Sequence, residues 1–195
     1  DVLADIAIDG SNNIIATGKS RTAVNKDDYA TVKFNSSLAV QWSKTLDQAN
    51  KTDRATGVFI DASGNAYVTG RSSDGTNDDF VTVQYLSASG NQGWLKTVSA
   101  VNLSYQAKAI DGNANEVVVT GTSFNGTQYD ILTVAYSLSN GTQLWSTPYA
   151  NANGKDETPN HIVVDASGNV IVTGTTNVST TTSTNNDVLV LKYNN

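Results

Sequence analysis

"VDASGNVIVTG" at residues 164–174 nearly repeats "IDASGNAYVTG" at 60–70. Two looser copies complete the set: "IDGSNNIIATG" at 8–18 and "IDGNANEVVVTG" at 110–121, the last with one residue inserted. The motif aspartates are Asp9, Asp61, Asp111 and Asp165, so the steps are 52, 50 and 54 residues. Its closing glycines are Gly18, Gly70, Gly121 and Gly174. Self-similarity at such a period marks a repeat architecture.

Other features keep the same step. After each glycine come a loop and an Asp-led alternating run: "DYATVKF" (28–34), "DFVTVQY" (79–85), "DILTVAY" (130–136) and "DVLVLKY" (187–193). Alternation of this kind is the pattern of a strand buried on one face. Trp42, Trp94 and Trp145 follow in the first three copies. The "DASGN" stretches suit tight hairpins, with Asp capping the turn and Gly or Asn tolerating positive φ. Each repeat therefore holds four short strands, here called A to D from the motif's first run to the tryptophan. The expected fold is all-β, a β-propeller of four blade repeats of four-stranded antiparallel sheets. One such sheet cannot bury its faces alone, so neighbours must stack. The blades span about 1–52, 53–104, 105–155 and 156–195 of one domain. The last blade lacks its outer strand and its tryptophan, which leaves a closed four-blade ring or a segment of a larger ring.

Composition agrees with that fold. The 195 residues are poor in charge and carry a net charge of −6. That sign disfavours nucleic acid and anionic membrane surfaces. There is no cysteine, which removes disulfides and thiolate metal sites. No methionine is present, which suggests a processed or excised segment. No apolar run reaches the roughly 18 residues of a membrane helix.

The motif, the Asp-led strand and the "SLSNGTQLW" ending (137–145) together resemble the bacterial β-propeller repeat often called SBBP, over essentially the whole chain. That resemblance implies a propeller typical of exported or surface proteins of bacteria, and it carries no catalytic residue. The same ending is similar to a blade motif of pyrroloquinoline-quinone dehydrogenases, whose cofactor and calcium residues have no counterpart here.

Function should then sit in the loops that differ. The B–C loops (19–27, 71–78, 122–129 and the Thr-rich 175–186) and the D–A connections share one face of a propeller, and loops on a rigid scaffold are where binding lives. Binding candidates on that face are Asp74, Asp78, Phe124, Tyr129, Tyr149, Asp156 and Glu157. The recurrent Asp28, Asp79, Asp130 and Asp187 could ring a cation, but they open strand C, away from the axis, and are expected to bond their own loops. The tryptophans are expected to pack between blades, and the glycines to serve close packing or a special backbone angle. His161, the single histidine, is expected to be a packed or hydrogen-bonded side chain. No cofactor is expected, with calcium on an acidic loop the one exception kept open. The expectation is a non-enzymatic exported module for protein binding, adhesion or assembly at the cell surface. A lectin-like, carbohydrate-binding propeller is the alternative, and a hydrolase or quinoprotein-like domain ranks behind both. The partner would be a protein or a surface glycan, with another copy or another chain to complete the propeller.

Overall fold

The computed structural model describes residues 1–23, 26–48, 52–179 and 185–194, and every regular element among them is a strand. Blade 1 is β1 (Val2–Ile8), β2 (Ile14–Ala23), β3 (Lys26–Phe34) and β4 (Val40–Leu46). Blade 2 is β5 (Thr52–Ile60), β6 (Ala66–Ser73), β7 (Asp78–Tyr85) and β8 (Gln92–Val98). Blade 3 is β9 (Ser104–Gly112), β10 (Glu116–Phe124), β11 (Tyr129–Ser137) and β12 (Gln143–Tyr149). Blade 4 is β13 (Glu157–Val164), β14 (Val170–Asn177) and β15 (Asn186–Tyr193). Each blade is an antiparallel sheet with its strands paired in chain order, four strands in the first three and three in the last. The architecture is a β-propeller of four blades. Part of the Thr-rich loop, 180–184, lies outside the described residues.

The repeated turn explains the A–B hairpins. Asp61 Oδ1 accepts from Ser63 N at 2.8 Å and Asn65 N at 2.9 Å, and its Oδ2 accepts from Asn65 Nδ2. Gly64 between them sits at φ +78°, where a side chain is strained. Asp9 and Asp165 repeat these bonds. The third copy differs. Its inserted residue passes the capping role to Asn113, whose Oδ1 accepts from Asn115 N and Glu116 N. Asp111, released from the turn, crosses to blade 4 and accepts from Val164 N at 2.7 Å.

Every innermost strand carries a bulge at one position. The register jumps over Ala4, Thr56, Lys108 and Asn160, each beside a closing glycine. A Cβ on Gly18, Gly70, Gly121 or Gly174 would strike the carbonyl of Val2, Arg54, Gln106 or Thr158 on that strand. None of the four has a positive φ, so close approach, not a special angle, fixes glycine there.

Blades pack through opposite faces of their strands. Ile15 and Tyr29 of blade 1 meet Val58, Val68, Val83 and Tyr85 of blade 2. Tyr67 and Phe80 meet Val117, Val119 and Tyr136 across the next junction. Val118 and Ala135 meet Ile162, Val164 and Val172 across the third. Trp42 tilts against Tyr85, Trp94 against Tyr136 and Trp145 against Tyr193, at 6.0, 6.0 and 5.7 Å. The Trp42 and Trp94 indoles also donate to Ser87 O and Leu138 O of the following blade. Polar rungs run inside the sheets: Thr17–Thr31, Thr69–Thr82 and Thr120–Thr133 hydroxyl pairs are buried at 3.0 to 3.2 Å.

Candidate binding sites at the axis and the loop face

The bulged inner strands converge on a groove of about 230 Å³ lined by Asp5, Thr56, Lys108, Asn160 and His161. Bulges re-aim side chains and recur at functional sites. Four repeats place their equivalent bulge residues here, and the residues are Ala4, Thr56, Lys108 and Asn160, all different. The positions that follow are Asp5, Gly57, Ala109 and His161. The bulge positions therefore join the variable loops as places where the repeats differ in side chain.

Three groups in the groove are already engaged. Asp5 Oδ1 accepts from Ile6 N and its Oδ2 from Val58 N, at 2.8 and 2.9 Å. The Thr56 hydroxyl lies 3.3 Å from Thr69 O and 3.1 Å from Ala107 O. Lys108 donates to Gln106 Oε1 at 3.2 Å. The side chain is exposed to the groove, yet the surrounding protein desolvates its ammonium, and with the Arg71 charge this lowers its pKa. His161 is exposed here, so the packed alternative does not hold, because its position follows the bulge and lines the groove. The spacing of the bulges could have shown this, but a bulge leaves no mark in a sequence beyond its glycine partner.

The loop-face candidates separate into two groups. Phe124 and Tyr129 stack at 4.9 Å on the β10–β11 hairpin, and Tyr129 N donates to Asp156 Oδ1 at 2.8 Å. These three come together. Tyr149 ends β12, paired with Ile131. Asp74 caps its own exposed turn through Thr76 N and Asn77 N. Asp78 and Glu157 are not surface residues. Asp78 is buried, 2.7 Å from Arg71 and accepting from Gln106 Nε2 at 2.6 Å. Glu157 has no solvent exposure. Their polarity suggested a ligand face, but both sit where blades meet.

The recurrent strand-C aspartates do not form a ring at the axis, since β3, β7, β11 and β15 are third from it. Asp130 accepts from Asn125 Nδ2 and Gln128 Nε2 of its own loop. Sequence reasoning left Asp53 out. It is fully buried at the first junction, where burial raises its pKa.

This geometry is that of the β-propeller class, and comparison with solved structures agrees. The β-propeller domain of the Trilobed protease from Pyrococcus furiosus, described as having an open velcro topology, aligns at TM-score 0.56 and 9% identity. That alignment covers 99% of this chain and 55% of the other, so the chain spans about half of that neighbour. A thermostable family-43 glycoside hydrolase aligns at TM-score 0.54 and 13% identity, over 96% of this chain and 69% of the other. The endo-arabinase from Bacteroides thetaiotaomicron aligns at 0.51 and 10%, over 95% and 72%. No protein-family model and no curated protein matches the chain. At such identities the likeness shows the fold alone. It still corrects one expectation: two of these neighbours are enzymes, so the reading of the chain as no enzyme does not stand.

Proposed function

We propose that the chain is a protein-binding propeller module whose first and fourth blades are covered by further propeller sheet from a partner. One observation carries this. At equivalent repeat positions, Ala55 and Val58 are 4% and 6% exposed on blade 2, whereas Leu3 and Ile6 are 72% and 61% exposed on blade 1. On the opposite face, Tyr29, Phe80 and Ile131 are buried, and their blade-4 equivalent, Val188, is 83% exposed. Thr31, Thr82 and Thr133 are likewise buried, and Val190 stands exposed in their place. Contiguous apolar surface of this kind marks an interaction site. The next blade covers these positions at the internal junctions, so the surface fits a similar sheet from another copy or another chain. The repeat resemblance supports a bacterial surface setting. Native mass measurement tests this: a mass well above 20.6 kDa is expected, falling when Ile6→Asp and Val188→Asp are combined. A monomeric mass for the native protein overturns it.

A second reading is carbohydrate recognition in the axial groove. The unlike side chains at the four bulges favour it, because Lys108, Asn160 and His161 offer donors and acceptors that match hydroxyl groups. Two glycan-acting neighbours support the ligand class. A glycan array that includes arabinan fragments, repeated with Lys108→Ala and His161→Ala, checks it. A reducing-sugar assay on any glycan bound reads turnover. Binding that both variants retain in full sinks the groove as the site.

A further inference from the structure

At the first two junctions a ring from the third strand of one blade covers a glycine of the next. A Cβ on Gly70 would strike the Tyr29 hydroxyl, and one on Gly121 the Phe80 ring. The register partners of these glycines on the innermost strands are Ala55 and Ala107. A large side chain therefore meets a small one. At the third junction the equivalent positions hold Ile131, which is buried, and Pro159, the partner of Gly174. The two positions left are Val188 on blade 4 and Leu3, the partner of Gly18, on blade 1. Both stand exposed. The covering residue shrinks through Tyr, Phe, Ile and Val, while its opposite grows from Ala through Pro to Leu. Close-packed interiors tolerate such opposite changes because the filled volume stays level.

A second contact changes on both sides together. The Tyr85 hydroxyl faces Thr31 of the preceding blade, and the Tyr193 hydroxyl faces Thr133. Blade 1 has Phe34 in place of these tyrosines, and blade 4 has Val190 in place of the threonines. One hydroxyl left alone in a junction would be costly, whereas losing both is nearly neutral. A third contact is kept. Lys33 donates to Ser87 Oγ at 2.8 Å, and Gln84 donates to Leu138 O of the next blade at 3.1 Å. Blade 4 carries Lys192 at the donor's place, and blade 1 carries Ser36 at the acceptor's. Both are exposed.

Building on partner sheet covering the first and fourth blades, we propose that the partner is a second copy of this chain, with blade 4 of each copy seated on blade 1 of the other. Val188 then lies over Gly18 and Leu3, Val190 meets Phe34, and Lys192 donates to Ser36. The contact is heterologous and extends the junction that the chain already uses three times. Propellers usually close with four to eight blades, so two four-blade copies fill one ring.

Native mass spectrometry of the purified full chain tests this. The expected mass is twice 20.6 kDa. Ile6→Asp and Val188→Asp lie at exposed positions that leave folding intact, and each variant alone should be a monomer. Mixed, the two should recover the double mass, because one copy keeps its blade-4 face and the other its blade-1 face. Leu3→Val should weaken association about tenfold, and adding Val188→Leu to the same chain should restore most of it. A complex with a different chain overturns the second copy and leaves the covered faces standing, whereas a monomeric native chain overturns both. A double mass that survives Val188→Asp, or that mixing fails to recover, overturns the seating of blade 4 on blade 1.

Discussion

Replacing Trp94 by alanine should destabilise the chain more than the same change at its repeat equivalent Trp145. Trp94 is buried, with Tyr67 at 5.7 Å and Tyr136 at 6.0 Å around its ring. Deleting a buried tryptophan costs about 3–5 kcal/mol. Its indole also donates to Leu138 O, but that carbonyl keeps Gln84 Nε2 at 3.1 Å and the Tyr67 hydroxyl at 3.3 Å. No orphaned acceptor is left behind, so the packing figure stands without an added polar penalty. Trp145 is only half-buried and tilts against Tyr193 alone among the rings, at 5.7 Å. Roughly half the burial suggests about 2 kcal/mol. For a domain of this size each kcal/mol moves Tm by about 2–4 °C, so the losses are about 6–20 °C and about 4–8 °C. Urea and thermal unfolding of the two variants, followed by circular dichroism, measure both. If Trp145→Ala costs as much as Trp94→Ala, burial at the junctions is not what sets the stability of the repeats.

Further outcomes follow from particular contacts. Gly121→Ala should destabilise by about 2 kcal/mol or more, because the new Cβ meets Gln106 O and the Phe80 ring, whereas Gly10→Ala, with open space around it, should stay within about 0.5 kcal/mol in the same urea assay. Asp27 is held down to about 2 from the usual 3.8, chiefly by its bond to Lys19 and then by Arg21. A depressed carboxylate stabilises fully above its ordinary value, so its contribution should fade as pH drops from about 4 to about 2. Asp27→Asn should therefore lower Tm at pH 7 and leave it unchanged near pH 2. Asp53 carries the opposite sign, because burial raises it: stability falls as pH rises through its window, and at pH 7 Asp53→Asn should raise Tm. Asp111→Ala should cost about 1–3 kcal/mol by leaving Val164 N unsatisfied at the junction of blades 3 and 4, measurable by hydrogen exchange at that amide.

The fold was legible because its signals are local and repeated. Asp61, Gly64 and Asn65 state the turn in five residues, and the alternation in "DFVTVQY" states the strand. The register of the repeats then stacks the blades without any long-range clue. The third copy showed the limit: one inserted residue moved Asp111 from a turn to another blade, which spacing alone does not reveal. The candidate sites were less legible. Asp78 and Glu157 look like surface acids in sequence, and only the stacking of blades buries them. His161 and Lys108 reach the axis because of backbone bulges, which depend on the strand opposite. Asp53 and Asp28 lie 25 positions apart and meet only across a junction.

The cross-blade bonds named above join consecutive blades, at separations from 27 for Tyr129 to Asp156, through 45 for Trp42 to Ser87 and 53 for Asp111 to Val164, up to 71 for Tyr67 to Leu138. Among the described residues, each buried apolar cluster joins consecutive blades. The loop closed at each step is therefore at most about seventy residues, however many blades are already in place. Such a chain can add structure in order as it leaves the ribosome, each new sheet condensing on the one before. Its folding time should grow with the number of blades added one after another, not with the steep cost of joining distant ends.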